Sequence, residues 1–209
     1  PVYVELDKIY RQSDPSFVNV LNQVRNNEMD NDGFELLHSR YLPNFNPPKE
    51  DGYITLTTHN NKADAINFKE LNELNGKLRN FDALVEGEFY EKSFPADLQL
   101  KLKVGAQVMF IKNDTEKVRR YFNGKIGSVE KIEDERIQVL CNGNTISIDV
   151  KKEKWKNIRY VVDKATGQVE ENEIGSFTQF PLRLAWAITI HKSQGLTFQN
   201  AIIDAGSAF

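Results

Sequence analysis

A cluster of polar residues near position 190 has the side chains needed to bind phosphate groups. A largely apolar run, Ala185–Ile190, leads into residues that offer a hydroxyl, an imidazole, an ammonium group, an amide and a glycine: Thr189, His191, Lys192, Ser193, Gln194 and Gly195. The first three groups donate hydrogen bonds to phosphate oxygens, and a glycine lets the backbone approach a phosphate closely. The cluster therefore predicts a site for a nucleotide or for a nucleic-acid backbone.

The alternative for each residue of this cluster is an ordinary structural role. His191 could be a packed histidine bonded to the backbone, and Lys192 could be a solvated surface lysine. Five polar groups crowded beside an apolar strand are hard to explain by packing, so the pattern as a whole favours function.

A second polar cluster lies where another predicted strand ends. Tyr53–Thr58 is β-rich, and a helix with Ala63, Ile66, Leu71 and Leu74 on its inward face follows and stops near Gly76. Strand, polar turn and helix form an α/β unit, which places Thr58, His59 and Asn60 where such folds bind ligands. Capping of the helix by Asn60 or Asn61 is an equally good explanation of these residues.

The remaining pattern predicts the elements that position these clusters. Val2–Leu6 is a candidate strand, residues 15–27 are a candidate amphipathic helix behind the Ser13-Asp14-Pro15 start signal, and a short helix is expected around 34–40. From residue 77 onward the chain predicts repeated short strands, at 83–90, 105–112, 125–132, 136–141, 144–150, 156–163 and 168–174. This organisation is an α/β domain interrupted by a β-rich insertion.

Composition limits the classes of protein and site. The sequence carries a net charge of −3, yet residues 101–160 hold 14 basic and 8 acidic residues, a local balance of +6 that could guide a polyanion or be an ordinary solvated surface. The single cysteine, Cys141, excludes an internal disulfide and fits a buried thiol in a reducing compartment. The three histidines share no metal-ligand spacing, no apolar run reaches the roughly 18 residues of a membrane span, and no signal peptide is visible. We therefore expect a cytoplasmic protein with neither a metal site nor membrane contact.

Several segments resemble the Pif/RecD-type DNA helicases, a branch of helicase superfamily 1, in the order found in that family. The 189–195 cluster closely resembles motif V, and the segment 9–17, Ile-Tyr-Arg-Gln-Ser-Asp-Pro-Ser-Phe, resembles the motif IV region. The segment 55–67 resembles the stretch that follows motif IV. The segment 100–114, together with Asn123-Gly124-Lys125-Ile126-Gly127, is similar to the start of the inserted barrel of the family.

The resemblance implies a fold and a domain layout. Such motors have two RecA-like domains, 1A and 2A, with an SH3-like β-barrel, 2B, inserted in the second. The expected class is therefore α/β, a partial RecA-like (P-loop NTPase-type) domain interrupted by that barrel. Residues 1–75 would be the first half of 2A, residues 76–178 the 2B insertion, and residues 179–209 the second half of 2A, cut before motif VI.

The resemblance also implies roles for single residues. Arg11 would contact the γ-phosphate of ATP across the domain cleft, although a surface arginine paired with Asp14 is the alternative. Gln12, Gln194 and Gly195 would lie on the ATP side. The expected DNA contacts are Thr58, His59, Asn60, Thr189, His191, Lys192 and Ser193. Trp155, among four lysines, is a candidate for stacking on a base, with packing inside the insertion as an equal alternative, whereas Trp186 is expected in the core.

The departures from the family pattern shape the functional expectation. The sequence contains no Gly-x-x-x-x-Gly-Lys-Ser/Thr loop and no Asp-Glu motif after an apolar strand, the parts that hold ATP and Mg²⁺. We therefore expect the 2A and 2B portion of an ATP-dependent helicase that moves 5′ to 3′ on single-stranded DNA and unwinds duplexes. ATP and Mg²⁺ would bind to the intact protein, which would also contain the N-terminal RecA-like domain, and this chain alone would be inactive. The alternative is a stand-alone nucleic-acid-binding or interaction module.

Overall fold

The computed structural model describes residues 12–48, 51–116, 118–162 and 167–206. The chain divides into two compact units, residues 1–46 and residues 47–209. The predicted strand at 2–6 and the predicted γ-phosphate contact Arg11 lie outside the described residues.

The described residues form four α-helices and thirteen β-strands. The helices are α1 (Pro15–Asn26), α2 (Asn31–His38), α3 (Asn60–Glu73) and α4 (Ile190–Ser193). The strands are β1 (Ile54–Thr57), β2 (Arg79–Asp82), β3 (Leu84–Gly87), β4 (Gln99–Leu102), β5 (Gln107–Phe110), β6 (Ile126–Ile132), β7 (Ile137–Cys141), β8 (Ile148–Val150), β9 (Glu153–Val162), β10 (Val169–Gln179), β11 (Leu182–Leu184), β12 (Ala187–Thr189) and β13 (Ala201–Asp204).

The first unit contains α1 and α2, and both helices begin at an aspartate cap. The Asp14 carboxylate accepts hydrogen bonds from the backbone N–H groups of Ser16 and Phe17, which confirms the predicted start of α1. The helix ends where Asn27 adopts a left-handed conformation, with φ of 58°. The second helix begins earlier than the predicted residue 34 because the Asp30 carboxylate caps it through the Gly33 N–H.

The second unit contains a three-stranded parallel sheet in the order β12-β1-β13. The helix α3 follows β1 and packs against β12, with Ala63 and Leu71 buried as predicted. Its last residue is Glu73, and Gly76 lies just beyond with φ of 108°, a left-handed conformation that favours glycine. The predicted strand–turn–helix unit is thus confirmed.

Antiparallel sheets account for the rest of the second unit. Five strands form a sheet in the order β11-β5-β6-β7-β8, three form a sheet in the order β3-β10-β9, and β2 pairs with β4. Each of the seven strands predicted after residue 77 overlaps an observed strand, whereas β2, β4 and β11 were not predicted. The mixed α/β class is therefore confirmed.

The expected SH3-like barrel is not confirmed. In the portion of the chain that the structure describes, the five-stranded sheet stays open, with β11 and β8 at its two edges. One of these edges, β11, comes from the segment 179–209 and pairs with β5 of the segment 76–178. The segments 76–178 and 179–209 are thus joined by backbone hydrogen bonds.

The two kinds of sheet also share a hydrophobic core. One cluster contains Ile54 and Ile188 from the parallel sheet together with Met109 and Ile126 from the antiparallel sheet. A larger cluster lies on the antiparallel side, with Trp186 packed against it as predicted. The predicted buried thiol is confirmed, since Cys141 is buried, and burial raises the pKa of its thiol. Within the described ranges, every helix is too short or too polar to cross a bilayer.

Candidate nucleic-acid and nucleotide site

The register of the parallel sheet brings the two predicted polar clusters together. The strands β1 and β12 run side by side, and Thr57, the last residue of β1, is paired with Thr189, the last residue of β12. Because parallel strands end at the same edge of a sheet, the turn at 58–60 and the segment at 190–195 both begin at this edge. The sequence predicted each cluster separately, and the pairing of β1 with β12 makes them one site.

The turn after β1 is organised around the exposed His59. The Thr58 hydroxyl lies 2.7 Å from His59 Nδ1, and the Thr57 hydroxyl donates to the His59 carbonyl at 3.1 Å. Both threonines are buried, so their hydroxyl groups hold the exposed histidine from the buried side of the turn. Because His59 occupies the N-cap position of α3, neither Asn60 nor Asn61 does, and the capping alternative is not supported.

The end of β12 and the segment after it contain two hydroxyl groups that bond locally, those of Thr189 and Ser193, and two exposed side chains, those of His191 and Lys192. Thr189 is buried, and its hydroxyl oxygen accepts a long hydrogen bond of 3.4 Å from the Lys192 backbone N–H. The Ser193 hydroxyl donates to the Ile190 carbonyl at 2.7 Å. The side chains of His191 and Lys192 are exposed at the surface. The local hydrogen bonds therefore fix a single turn of helix, α4, that presents these two residues to solvent.

The chain continues from α4 through Gln194 and Gly195, which are both exposed. Gly195 has φ of 81°, a conformation that other residues rarely adopt, and no atom lies within 4 Å of the position where a Cβ would stand. The glycine is therefore required by its backbone angle, and the space beside it is open. An exposed amide next to a bare, accessible backbone suits one side of a phosphate site.

A groove of about 380 Å³ opens beside this edge, between α3 and the strands β4, β11 and β12. Three of the predicted DNA contacts line it: Asn60, Thr189 and Lys192. Sequence reasoning did not assign its other cations, Lys101 and Arg183, to this site. The groove also contains carboxylates, and one of them, Asp97, lies 3.6 Å from Arg183.

Asn67 is a further residue of the groove that sequence reasoning missed. It is buried in the middle of α3, and its side-chain amide bonds both backbone groups of Ala187 in β12. The sequence does contain a signal for it. Asn67 lies four residues from each of the inward-facing Ala63 and Leu71, and a polar residue within an apolar stripe needs a buried hydrogen-bond partner.

Two further predicted residues lie in other parts of the chain. Gln12 belongs to the first unit, where its side-chain oxygen accepts from the backbone N–H groups of Ser13 and Asp14. Trp155 lies on β9 of the insertion and packs edge-on against Phe177, with ring centroids 6.0 Å apart. The Lys112 ammonium group lies 5.0 Å from the Trp155 ring centroid. The indole therefore already has protein neighbours, although the side chain stays half-buried.

Comparison with known proteins gives a consistent family. No protein-family model matches the chain. The chain is 31% identical over 220 residues to the ATP-dependent DNA helicase PIF1 of Rattus norvegicus, a match that covers 100% of this chain and 32% of that protein. The structure of unliganded Pif1 from Bacteroides sp matches with a TM-score of 0.86 at 41% identity, over 97% of this chain and 46% of that one.

A second solved structure adds ligands to the comparison. Pif1 helicase from Bacteroides in complex with ADP-AlF3 and ssDNA matches with a TM-score of 0.68 at 42% identity, over 99% of this chain and 46% of that one. The chain thus spans about a third of the rat relative and about half of the Bacteroides structures. The identity over nearly its whole length and the shared fold agree with the resemblance of its motif V segment, and the chain belongs to the Pif1 family of helicases.

Proposed function

We propose that this chain is the part of an ATP-dependent DNA helicase that holds single-stranded DNA at the carboxyl edge of the β12-β1-β13 sheet. The observation that carries the proposal is the pairing of Thr57 with Thr189, which joins the two polar clusters into one edge of the sheet. The ligands of the Bacteroides Pif1 structure, ADP-AlF3 and ssDNA, support both halves of the assignment.

On the DNA side, the exposed groups are assigned to contact the strand and the buried groups to orient them. Lys192 and His191 offer an ammonium and an imidazole, and His59 offers a second imidazole. If the Thr58 hydroxyl donates to His59 Nδ1, the neutral ring carries its proton on Nε2 and can donate it outward. Asn60 offers an amide at the rim of the groove. Thr58, Thr189 and Ser193, whose hydroxyl groups are engaged locally, act as supports.

On the nucleotide side, Gln194 and Gly195 are the residues that would approach the phosphates of ATP. The open space beside Gly195 fits this role, because a ligand can reach the backbone there. Hydrolysis of ATP supplies the free energy for movement along the strand, and this chain's own residues provide one wall of the site. A further RecA-like domain of the same polypeptide would provide the phosphate loop and the Mg²⁺ ligands.

The proposed layout assigns residues 1–75 and 179–209 to domain 2A and residues 76–178 to an insertion, 2B. Translocation from 5′ to 3′ is proposed with it, by analogy with the family. The shared core of Ile54, Met109, Ile126 and Ile188 supports a design in which the insertion and the sheet that carries the DNA edge are packed as one body.

Replacing Lys192 with alanine should weaken binding of single-stranded DNA. Loss of one phosphate contact is expected to reduce affinity about fivefold and to lower the slope of log affinity against log salt concentration by about one. Fluorescence anisotropy with a labelled oligothymidylate at several salt concentrations measures both quantities. The matched control is Lys69→Ala, because Lys69 is an exposed lysine of the same unit, with an ion pair to Glu73 at 3.9 Å and no place in the groove.

Two results would contradict this assignment. Equal losses of DNA affinity in Lys192→Ala and Lys69→Ala would show that DNA binding depends only on net charge. Unchanged binding in Lys192→Ala, together with loss of binding in Trp155→Ala, would move the DNA site to the β-rich insertion and favour the stand-alone binding module.

The chain alone should show no metal-dependent ATP hydrolysis above background, because its sequence lacks the phosphate loop and the Asp-Glu motif. In the intact protein, Arg11→Ala should lower ATPase activity while nucleotide-free DNA binding stays nearly unchanged. A phosphate-release assay with and without DNA measures the activity. Robust hydrolysis by the purified chain, or hydrolysis at the parent rate by Arg11→Ala, would refute the corresponding role.

A further inference from the structure

The carboxamide of Asn67 makes a paired contact with one residue of β12. Its Nδ2 donates to the Ala187 carbonyl at 2.8 Å, and its Oδ1 accepts from the Ala187 N–H at 2.9 Å. Both residues are buried, with 8% of Asn67 and 2% of Ala187 exposed. The side chain therefore bonds Ala187 as a neighbouring β-strand would, through one donor and one acceptor.

The geometry of the sheet explains why Ala187 needs such a partner. In the described residues β12 is an edge strand whose only strand neighbour is β1. In a parallel ladder the backbone groups of alternate residues point to opposite sides, and the Trp186 carbonyl accepts from Thr55 in β1 at 2.8 Å. The N–H and C=O of Ala187 accordingly point away from β1, toward α3, and Ala187 is buried.

The position of this contact along β12 gives it a functional consequence. Ala187 lies two residues before Thr189, which ends the strand and whose hydroxyl oxygen accepts from the Lys192 N–H. The pairing with β1 and the packing of Ile188 in the core also hold β12, and the two bonds from Asn67 hold it from its other side. Bonds that hold Ala187 therefore also hold the turn that follows.

We propose that Asn67 is a positioning residue: it fixes the outer edge of β12 and so sets where Lys192 and its neighbours stand relative to the turn at 58–60. This inference rests on the proposed DNA-binding role of that edge. Because α3 begins at Asn60, the helix that supplies Asn67 also supplies the groove wall next to His59. A single helix thereby fixes the position of the two polar clusters relative to each other.

The choice of residue supports a specific bonding role. Asparagine is a weak helix former, and a buried amide costs free energy unless all its partners are present. A leucine would fill a similar volume between Ala63 and Leu71 and would favour the helix. The asparagine is explained by the two bonds that it makes to Ala187.

The test combines a DNA-independent and a DNA-dependent measurement on the 209-residue chain. Asn67→Leu keeps the branched shape of the side chain with a somewhat larger volume and removes both bonds, and Asn67→Ala is the second variant should Asn67→Leu not fold. Hydrogen exchange followed by mass spectrometry is expected to show faster exchange in peptides that cover 187–196. The control is Val139→Ala, a buried truncation on β7 of the antiparallel sheet, compared at an equal interval below each variant's melting temperature. Equal exchange of 187–196 in the Asn67 and Val139 variants overturns the proposal.

The DNA measurement is a double-mutant cycle with Lys192. We expect Asn67→Leu to weaken binding of oligothymidylate about fivefold in the parent chain but less than about twofold in the Lys192→Ala background, since the two changes would remove the same contact. Fully additive losses overturn the proposal. If Lys192→Ala alone leaves binding unchanged, the proposed DNA edge is wrong, and the exchange comparison still decides whether Asn67 positions the turn.

Discussion

Replacing Asp114 with alanine is expected to lower the free energy of unfolding by about 3 kcal/mol. The Asp114 side chain is almost fully buried, and Arg120 binds it with two nitrogens, at 2.7 and 3.0 Å. The backbone N–H groups of Glu116 and Arg120 donate to the same carboxylate, at 3.2 and 3.0 Å. Loss of this carboxylate would leave the connection between β5 and β6 without its central acceptor. Urea denaturation followed by circular dichroism measures the change.

The same carboxylate should make the protein acid-sensitive. The hydrogen bonds from Arg120 hold the pKa of Asp114 at about 2 in the folded chain, below its value near 3.9 in an unfolded chain. The stabilisation is therefore complete above about pH 5 and is lost as the pH falls through 4 toward 2. The side chain of Asp114→Asn cannot titrate. The free energy of unfolding of the parent should therefore exceed that of the variant by about 2 kcal/mol at pH 7 and by much less near pH 2.

An exposed ion pair provides the matched control for this prediction. Lys69 and Glu73 lie 3.9 Å apart on α3, and both side chains are well exposed. Glu73→Gln should change stability by less than about 0.5 kcal/mol at pH 7. Two results would contradict the role given to Asp114. One is a similar loss of stability in Asp114→Asn and Glu73→Gln. The other is a stability difference between the parent and Asp114→Asn that stays constant from pH 7 to pH 2.

Gly127→Ala is expected to destabilise the chain by about 3 kcal/mol, through overpacking. Gly127 lies in β6, and a Cβ built on it would stand 2.6 Å from the Leu140 carbonyl oxygen and 3.0 Å from the Cys141 Cα. Both are backbone atoms of β7, the paired strand, so no side-chain rotation can relieve the contact. The melting temperature and the urea midpoint should both fall. This requirement also explains the glycine that ends the Asn123-Gly124-Lys125-Ile126-Gly127 segment.

Gly143→Ala separates this steric effect from a backbone effect. Gly143 has φ of 82°, and no atom lies within 4 Å of its Cβ position. Alanine there should cost about 1 kcal/mol from the left-handed conformation alone. If Gly127→Ala costs no more than Gly143→Ala, the two strands can separate at this point and the close packing of β6 on β7 is not required.

Local sequence patterns were sufficient for most of the secondary structure. The cap at Asp14 and the proline after it specify where α1 begins, and the alternation of apolar residues specifies β6 and β7. Although β3, β5 and β8 are equally short and were predicted, the strands β2, β4 and β11 were missed. Their strand conformation depends on partners elsewhere in the chain.

The motif V segment and the turn at 58–60 could be recognised from sequence as polar clusters, because residue types alone decide which groups can bind phosphate. Which residues of the two clusters are exposed and which are buried could not be recognised from the sequence. The burial of Thr58 and Thr189 and the exposure of His59 and Lys192 depend on which side of the sheet edge each backbone turn presents.

The sequence by itself thus determined the family resemblance, the α/β class and the two polar clusters, because these follow from residue types and short-range spacing. Only the tertiary structure decided that the clusters form one edge, that Asn67 bonds both backbone groups of Ala187, and that Asp114 pairs with Arg120. It also decided that the five-stranded sheet stays open among the described residues. The reason is that strand order and register are set by burial and hydrogen bonding between segments far apart in the chain, which no local pattern encodes.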